Sequence, residues 1–346
     1  MSGRMAGPVL RPRELARAAA VHLDDLRVQH ANLVRVLRQT DTLRYVDEAA
    51  ESSGRMAIPA PLAAPALSYR THKRWAADGV VYSVHPQMLD ALAQVDRDRV
   101  PAGVLAHLPH RNPLLLFPSP VPCVGAAGTP TGLIAVYVSG VDAGGRRMTD
   151  TDDADCVGYR LTMVCRDSTG LEEAATRLHI ADGWFHPEVR AAAARSADLD
   201  KAARGERAHT VAQHAAALRS KLLPALDALM YVCSLGAEIE PATAPRAAAA
   251  RRPARRAKPA AAETVHHVGW RLGPALADPA RAQPATSTGT GGAKTPHPRR
   301  SHYGIRWTGP GKTVPRSTLI RGSFINRAQL DGPPVPTIYP AGPSNT

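Results

Sequence analysis

Two histidines, four cations, two aromatics and three glycines fall within the 17 residues from Pro296 to Lys312, and Phe324-Ile325-Asn326 follows soon after. Three kinds of chemistry are open to such a set. His297 and His302 flank Arg299 and Arg300, and imidazoles beside cations can run acid–base cleavage of RNA. Arg299, Arg300, Arg306 and Lys312 can donate to phosphates. Tyr303 and Trp307 can stack on bases, or can anchor the segment to a core. A strand over 300–307 would separate these roles. His302, Gly304 and Arg306 would share one face, and Tyr303, Ile305 and Trp307 the other.

Other templates fail. Gly309-Pro310-Gly311-Lys312-Thr313 ends like a phosphate-binding loop but lacks the first glycine four residues before the Gly-Lys pair. No HExxH occurs. Asp150-Thr151-Asp152-Asp153-Ala154-Asp155 lacks the glycine and distal glutamate of a calcium loop and reads as a solvated acidic turn. Leu108-Pro109-His110-Arg111-Asn112-Pro113 could line a pocket and reads more simply as a turn, and His266-His267 reads as ordinary strand. No metal or cofactor is expected.

The elements that must position the cluster belong to a chain of 346 residues, long enough for two ordinary domains or for one large domain with tails. Its 27 glycines and 31 prolines, against 15 aromatics, leave much of that length poor in core material. Charge is uneven. Of 43 basic and 30 acidic residues, 16 and three lie in 241–346, which leaves 27 of each in 1–240. A neutral body therefore carries a basic last third, the pattern of a protein with a polyanionic partner. The four scattered cysteines form no CxxC pair and read as buried thiols of a reducing cytoplasm. Neither a signal peptide in Met1 to Leu10 nor a membrane span is expected.

Apolar periodicity predicts a helix over 11–50, carried by Leu15, Ala19, Leu23, Leu26, Leu33, Val36 and Leu37, broken by the Pro/Ala stretch Ile58 to Pro65. His85 to Val95 reads as a second helix with Pro86 in its first turn. Leu114 to Phe117, Leu133 to Val138 and Tyr159 to Cys165 read as strands, the last two as antiparallel partners. Residues 187–204 read as an Ala-rich helix. Residues 207–234 read as a long helix that Pro224 should kink or divide, with Leu222 to Cys233 as the spine. The expected organisation is an α+β core over 1–239, a disordered basic linker over 240–262 and a docking strand over 263–273. A low-complexity linker over 274–295, the signature segment 296–328 and a loose Pro-rich tail over 329–346 complete it.

Taken in order, these features resemble the type V-A anti-CRISPR family whose founding member blocks synthesis of the type V-A CRISPR effector nuclease. The matching positions are Pro296, His297, Arg299, Arg300, His302, Tyr303, Trp307, Gly309, Gly311, Phe324 and Asn326, with Ile325 where the family has valine. Upstream echoes are Leu108-Pro109, Gly132 to Tyr137, Leu222-Leu223-Pro224 leading to Cys233, and Val268 to Gly273. The chain departs from the pattern at Tyr303, where the family has Trp, and over Thr318 to Ser323, which lacks a Trp-x-Pro. The resemblance implies a mobile-element protein, phage- or plasmid-borne, that engages a nascent target polypeptide on the ribosome and triggers loss of its mRNA.

The fold expected is α+β: a small, mainly antiparallel sheet packed by the 11–50 and 207–234 helices, with the C-terminal segment docking as a strand after a disordered spacer. The function expected is an anti-CRISPR-like regulator acting by binding in the cytoplasm, with a nascent polypeptide or ribosome and RNA as partners. His297, Arg299, Arg300, His302, Tyr303, Arg306, Trp307, Lys312 and Asn326 are the binding candidates. A nucleic-acid-binding accessory protein, or a ribonuclease using His297 and His302, are the alternatives.

Overall fold

The computed structural model describes residues 11–40, 43, 60–95, 100–125, 128–141, 158–168, 170–179, 208–242, 263–277, 297–299, 301–320 and 323–325. Helix α1 (Pro12–Gln39) opens with proline in its first turn, and Glu14 Oε2 accepts the Arg11 backbone N–H at 2.7 Å. Leu15, Ala19, Leu23, Leu26 and Leu37 are its buried stripe, whereas Val36 is exposed. Helix α2 (Ala60–Asp78) begins inside the stretch expected to break the pattern and runs through Pro65. Packing offsets the hydrogen bond that Pro65 cannot make. Trp75 is buried, its indole N–H donating to Val80 O at 2.8 Å, and Ala66, Tyr69, Thr71 and His72 are buried with it.

Seven strands form the main sheet, with the spatial order β5-β4-β3-β2-β1-β7-β6. They are β1 (Val80–Val84), β2 (Leu114–Val124), β3 (Pro130–Val141), β4 (Gly158–Arg166), β5 (Leu171–His179), β6 (Ile239–Pro241) and β7 (Thr264–Val268). Strand β1 is parallel to both β2 and β7, and the remaining pairs are antiparallel. The sheet is thus large and mixed, where a small, mainly antiparallel one was expected. The cause is β1, whose Val-Val-Tyr-Ser-Val run carries no alternation because both of its faces are covered. The expected pairing of the Leu133 and Tyr159 strands is present as β3–β4.

Two apolar layers enclose this sheet. On one face Ala19, Leu23 and Leu26 of α1 and Trp75 of α2 meet Val81, Leu114, Leu116, Ile134, Ala135 and Tyr137. On the other, α3 (Pro86–Leu92), α4 (Ala208–Val232) and α5 (Leu272–Ala277) cover Tyr82, Val84, Leu115, Phe117, Val136, Leu161 and Val268. A register shift between Leu133 and Ala135 puts Ile134 and Ala135 on the same side, after which alternation resumes. Helix α4 passes through Pro224 without ending, and Leu222, Ala225, Leu226 and Leu229 around it are buried to within 1%. Cys123, Cys165 and Cys233 are buried free thiols. The expected 187–204 helix, the Asp150–Asp155 turn, Cys156 and most of both expected linkers lie outside the described residues. No described helix is long and apolar enough to cross a membrane.

Candidate anion-binding ribbon

The strand expected over 263–273 is present in the main sheet as β7, whereas the strands of the C-terminal segment pair with one another in separate two-stranded ladders. Strands β9 (His302–Thr308) and β10 (Val314–Ile320) form an antiparallel hairpin, with Thr308 opposite Val314 and His302 opposite Ile320. The turn between them uses left-handed backbone at Gly309 (φ 76°), Gly311 (φ 68°) and Lys312 (φ 53°). Lys312 N–H donates to Gly309 O at 3.0 Å, so the glycines that end like a phosphate loop are turn residues. Strands β8 (His297–Arg299) and β11 (Ser323–Ile325) pair in the same register, three residues further out on each side. The two ladders share one register and are successive pairings of the ribbon. Towards the ends of the signature, His297 and Ile325 are opposite each other across it.

The inner face of the hairpin is fixed by packing and hydrogen bonds. Tyr303 is buried in the layer that contains the α4 core residues, with Ile305 and Leu319 packed against it. Ser317 is fully buried, its hydroxyl 3.3 Å from that of Ser234, and its carbonyl accepts Leu235 N–H at 2.8 Å. Pro315 O accepts His107 Nε2 at 3.0 Å from the 3-10 turn Ala102–His107. Burial first, and then the positive charge of Arg316, lower the pKa of His107. At Gly103 an added Cβ would stand 3.2 Å from Pro315 Cγ, so a close backbone approach seats β10 here. Registry with partners about 200 residues away leaves the inner face no freedom to slip.

The outer face carries His302, Gly304, Arg306 and Thr308 on β9, with Val314, Arg316, Thr318 and Ile320 on β10. Arg306 and Arg316 are directly opposite each other. No acidic partner faces either among the described residues. Lys312 is exposed at the turn and Trp307 is 49% exposed at the end of β9. The alternation expected of 302–307 holds along the strand. It keeps both aromatics on one face, but their depth differs: Tyr303 is core, whereas Trp307, at the end of the strand, is at the surface.

Of the nine binding candidates, His302, Tyr303, Arg306, Trp307 and Lys312 are together on this hairpin. His297 and Arg299 are on the backbone of β8, in the other ladder from His302. Arg300 and Asn326 lie outside the described residues. Sequence reasoning misses Arg316. Its signal is the alternation of Val314-Pro315-Arg316-Ser317-Thr318, concealed by a proline that a hairpin edge tolerates. No group of three or more His, Cys, Asp or Glu that could hold a metal occurs among the described residues. The Leu108–Pro113 cluster is an irregular connection whose Arg111 and Pro113 carbonyls accept Gly140 and Val138 N–H, and Asn112 Nδ2 donates to Asp78 at 2.8 Å.

Comparison with known proteins adds the family. No curated protein matches the chain. Among solved structures, one described as the crystal structure of AcrVA2 aligns at 15% identity over 90% of this chain and 93% of that one, with a TM-score of 0.44. The model of the AcrVA2-like family, anti-CRISPR type V subtype A2, matches residues 82–327, from the first strand of the sheet to the end of the ribbon. The chain therefore belongs to the anti-CRISPR type V subtype A2 family, and an anti-CRISPR function follows from that membership.

Proposed function

We propose that this anti-CRISPR protein acts by binding: it engages a nascent target polypeptide during translation and lowers that target's synthesis through loss of the encoding mRNA. The observation that carries this reading is the two-sided ribbon. Its inner face is built into the body of the fold, and its outer face presents opposed arginines with no described acid between them. A body that is neutral over 1–240 can take a polypeptide, while the basic ribbon can take the phosphate backbone of the message.

The reading is tested in cells that are translating a target. Affinity recovery of the tagged protein should bring down ribosomes or one specific nascent chain, and Arg299→Ala with Arg300→Ala should weaken that recovery. Recovery of neither ribosomes nor a nascent chain would remove the reading.

A further inference from the structure

We infer that Arg306 and Arg316 form a cross-strand clamp for a phosphodiester group of single-stranded RNA, with Trp307, on the other face at the turn end of the hairpin, as a stacking platform for the strand as it leaves the clamp. The inference rests on the binding reading above and names the ligand of the ribbon. Directly opposite side chains on an antiparallel pair have Cβ atoms about 5 Å apart, and like charges there repel. The fold nonetheless sets two arginines directly opposite each other, with Pro315 and Ser317 buried on either side of Arg316. A single anion between them turns the repulsion into two charge-assisted contacts, and guanidinium forks match phosphate oxygens in geometry.

Three further features favour RNA over an acidic peptide. Trp307 is half-exposed on the opposite face at the turn end of the hairpin, so a nucleotide strand that rounds the turn from the clamp meets an aromatic face to stack on. Lys312, exposed at the turn, extends the donors along the ribbon, as a linear polyanion requires. No lysine or arginine of the outer face is neutralised by a described acid, and the chain from 241 onward holds only three acids in all.

The test uses the full chain and a fluorescein-labelled oligouridylate of about 12 nucleotides, within the usual span of a single-strand site, with anisotropy read at several salt concentrations. Wild type should bind with a steep salt dependence. Arg306→Gln with Arg316→Gln should weaken binding by about tenfold or more and make the log–log salt slope shallower by about two. Trp307→Ala should weaken binding at least about fivefold and leave the slope unchanged. Arg316→Glu should raise the melting temperature, by giving Arg306 an opposite charge, and at the same time abolish tight binding. That pairing separates loss of ligand from loss of fold.

Several results would overturn the clamp. One is wild-type protein that does not bind the oligonucleotide. Another is equal weakening by Arg13→Gln with Arg17→Gln on α1, which would make the attraction one of diffuse charge. Displacement of the RNA by an oligoglutamate at comparable concentration would make the site one for acidic peptides. Ribosome recovery that persists without RNA binding removes the clamp and leaves the nascent-chain reading standing. RNA binding by a protein that recovers no ribosomes does the reverse.

Discussion

Two aromatics four residues apart on β9 have opposite fates, and the difference is measurable. Tyr303 is 8% exposed and packs with the α4 layer, whereas Trp307 is 49% exposed at the ribbon's end. Tyr303→Ala should cost about 3 kcal/mol in a denaturant titration, because it opens a cavity beneath the hairpin. Trp307→Ala should stay within about 0.5 kcal/mol of wild type. Equal losses would mean that the hairpin is not seated as described. One buried cation is held by a specific partner. Lys221 is 2% exposed, and its ammonium donates to Glu172 Oε1 at 2.9 Å, tying α4 to β5. Nothing local in the sequence announces this partner, since the carboxylate comes from a strand 49 residues earlier.

At the scale of elements, the junction between α3 and α5 depends on close approach. Gly269 has φ 67°, and a Cβ added there would lie 2.5 Å from Met88 Cγ. Gly236 has φ 74° and nothing within 4 Å of its added Cβ. Both positions are left-handed, so alanine at Gly236 should cost about 1 kcal/mol from the backbone alone. Gly269→Ala should cost at least about 1 kcal/mol more, because Met88 is itself fully buried and has nowhere to move. Thermal melts of the two variants measure the difference; indistinguishable melts would count against this packing.

Which elements are legible in the sequence follows from the same physics. Helix α1 and strands β3 and β4 are visible because their apolar residues recur at helical spacing or run continuously. The hairpin strand β9 is visible by alternation. Strand β1 and helix α2 are not: one is buried on both faces, and the other begins amid prolines and alanines and is held by distant contacts. The return of residues 264–268 is legible as a docking strand, but its parallel pairing is not, since its partner β1 is itself unseen. Within the site, sequence supplies the residue types and their faces. It does not supply the Arg306–Arg316 opposition, because register across a turn is a property of two strands.

For the molecule as a whole, buried imidazoles set the response to acid. The His72 ring stacks 3.9 Å from that of His30, and its Nδ1 is 3.0 Å from the Tyr137 hydroxyl. Burial, then the charges of His30 and Arg27, lower its pKa from 6.5 to about 3. Burial also lowers His30, and His22 and His85 shift in the same direction for the same leading reason. Between pH 6.5 and about 3 the unfolded chain binds more protons, so stability should fall as pH falls through that window. The loss should reach on the order of a few kcal/mol by about pH 4.

Glu173 works in the opposite sense. Burial raises its pKa, against hydrogen bonds from Ser68 and Gln29, so its contribution is best in acid and is lost as pH rises through its folded value. Several histidines outweigh one carboxyl. Urea melts at about pH 7, 5.5 and 4 should show the decline, and His72→Phe should flatten it. An unchanged slope in the variant would refute the assignment.

Strand β7 lies between β1 and β6, and the ribbon's Tyr303 completes the layer over α4. Chain order therefore becomes a timetable. At about 5–20 residues per second, roughly 10–40 s of synthesis separate the appearance of Val84 from that of Thr264, and the hairpin is later still. Throughout that interval β1 has one edge open to any extended chain nearby. A message cut short before codon 264 yields a product with that edge permanently unpaired, so premature termination should produce aggregates and not a smaller working protein. The basic ribbon is thus synthesised only after the sheet whose body it packs against.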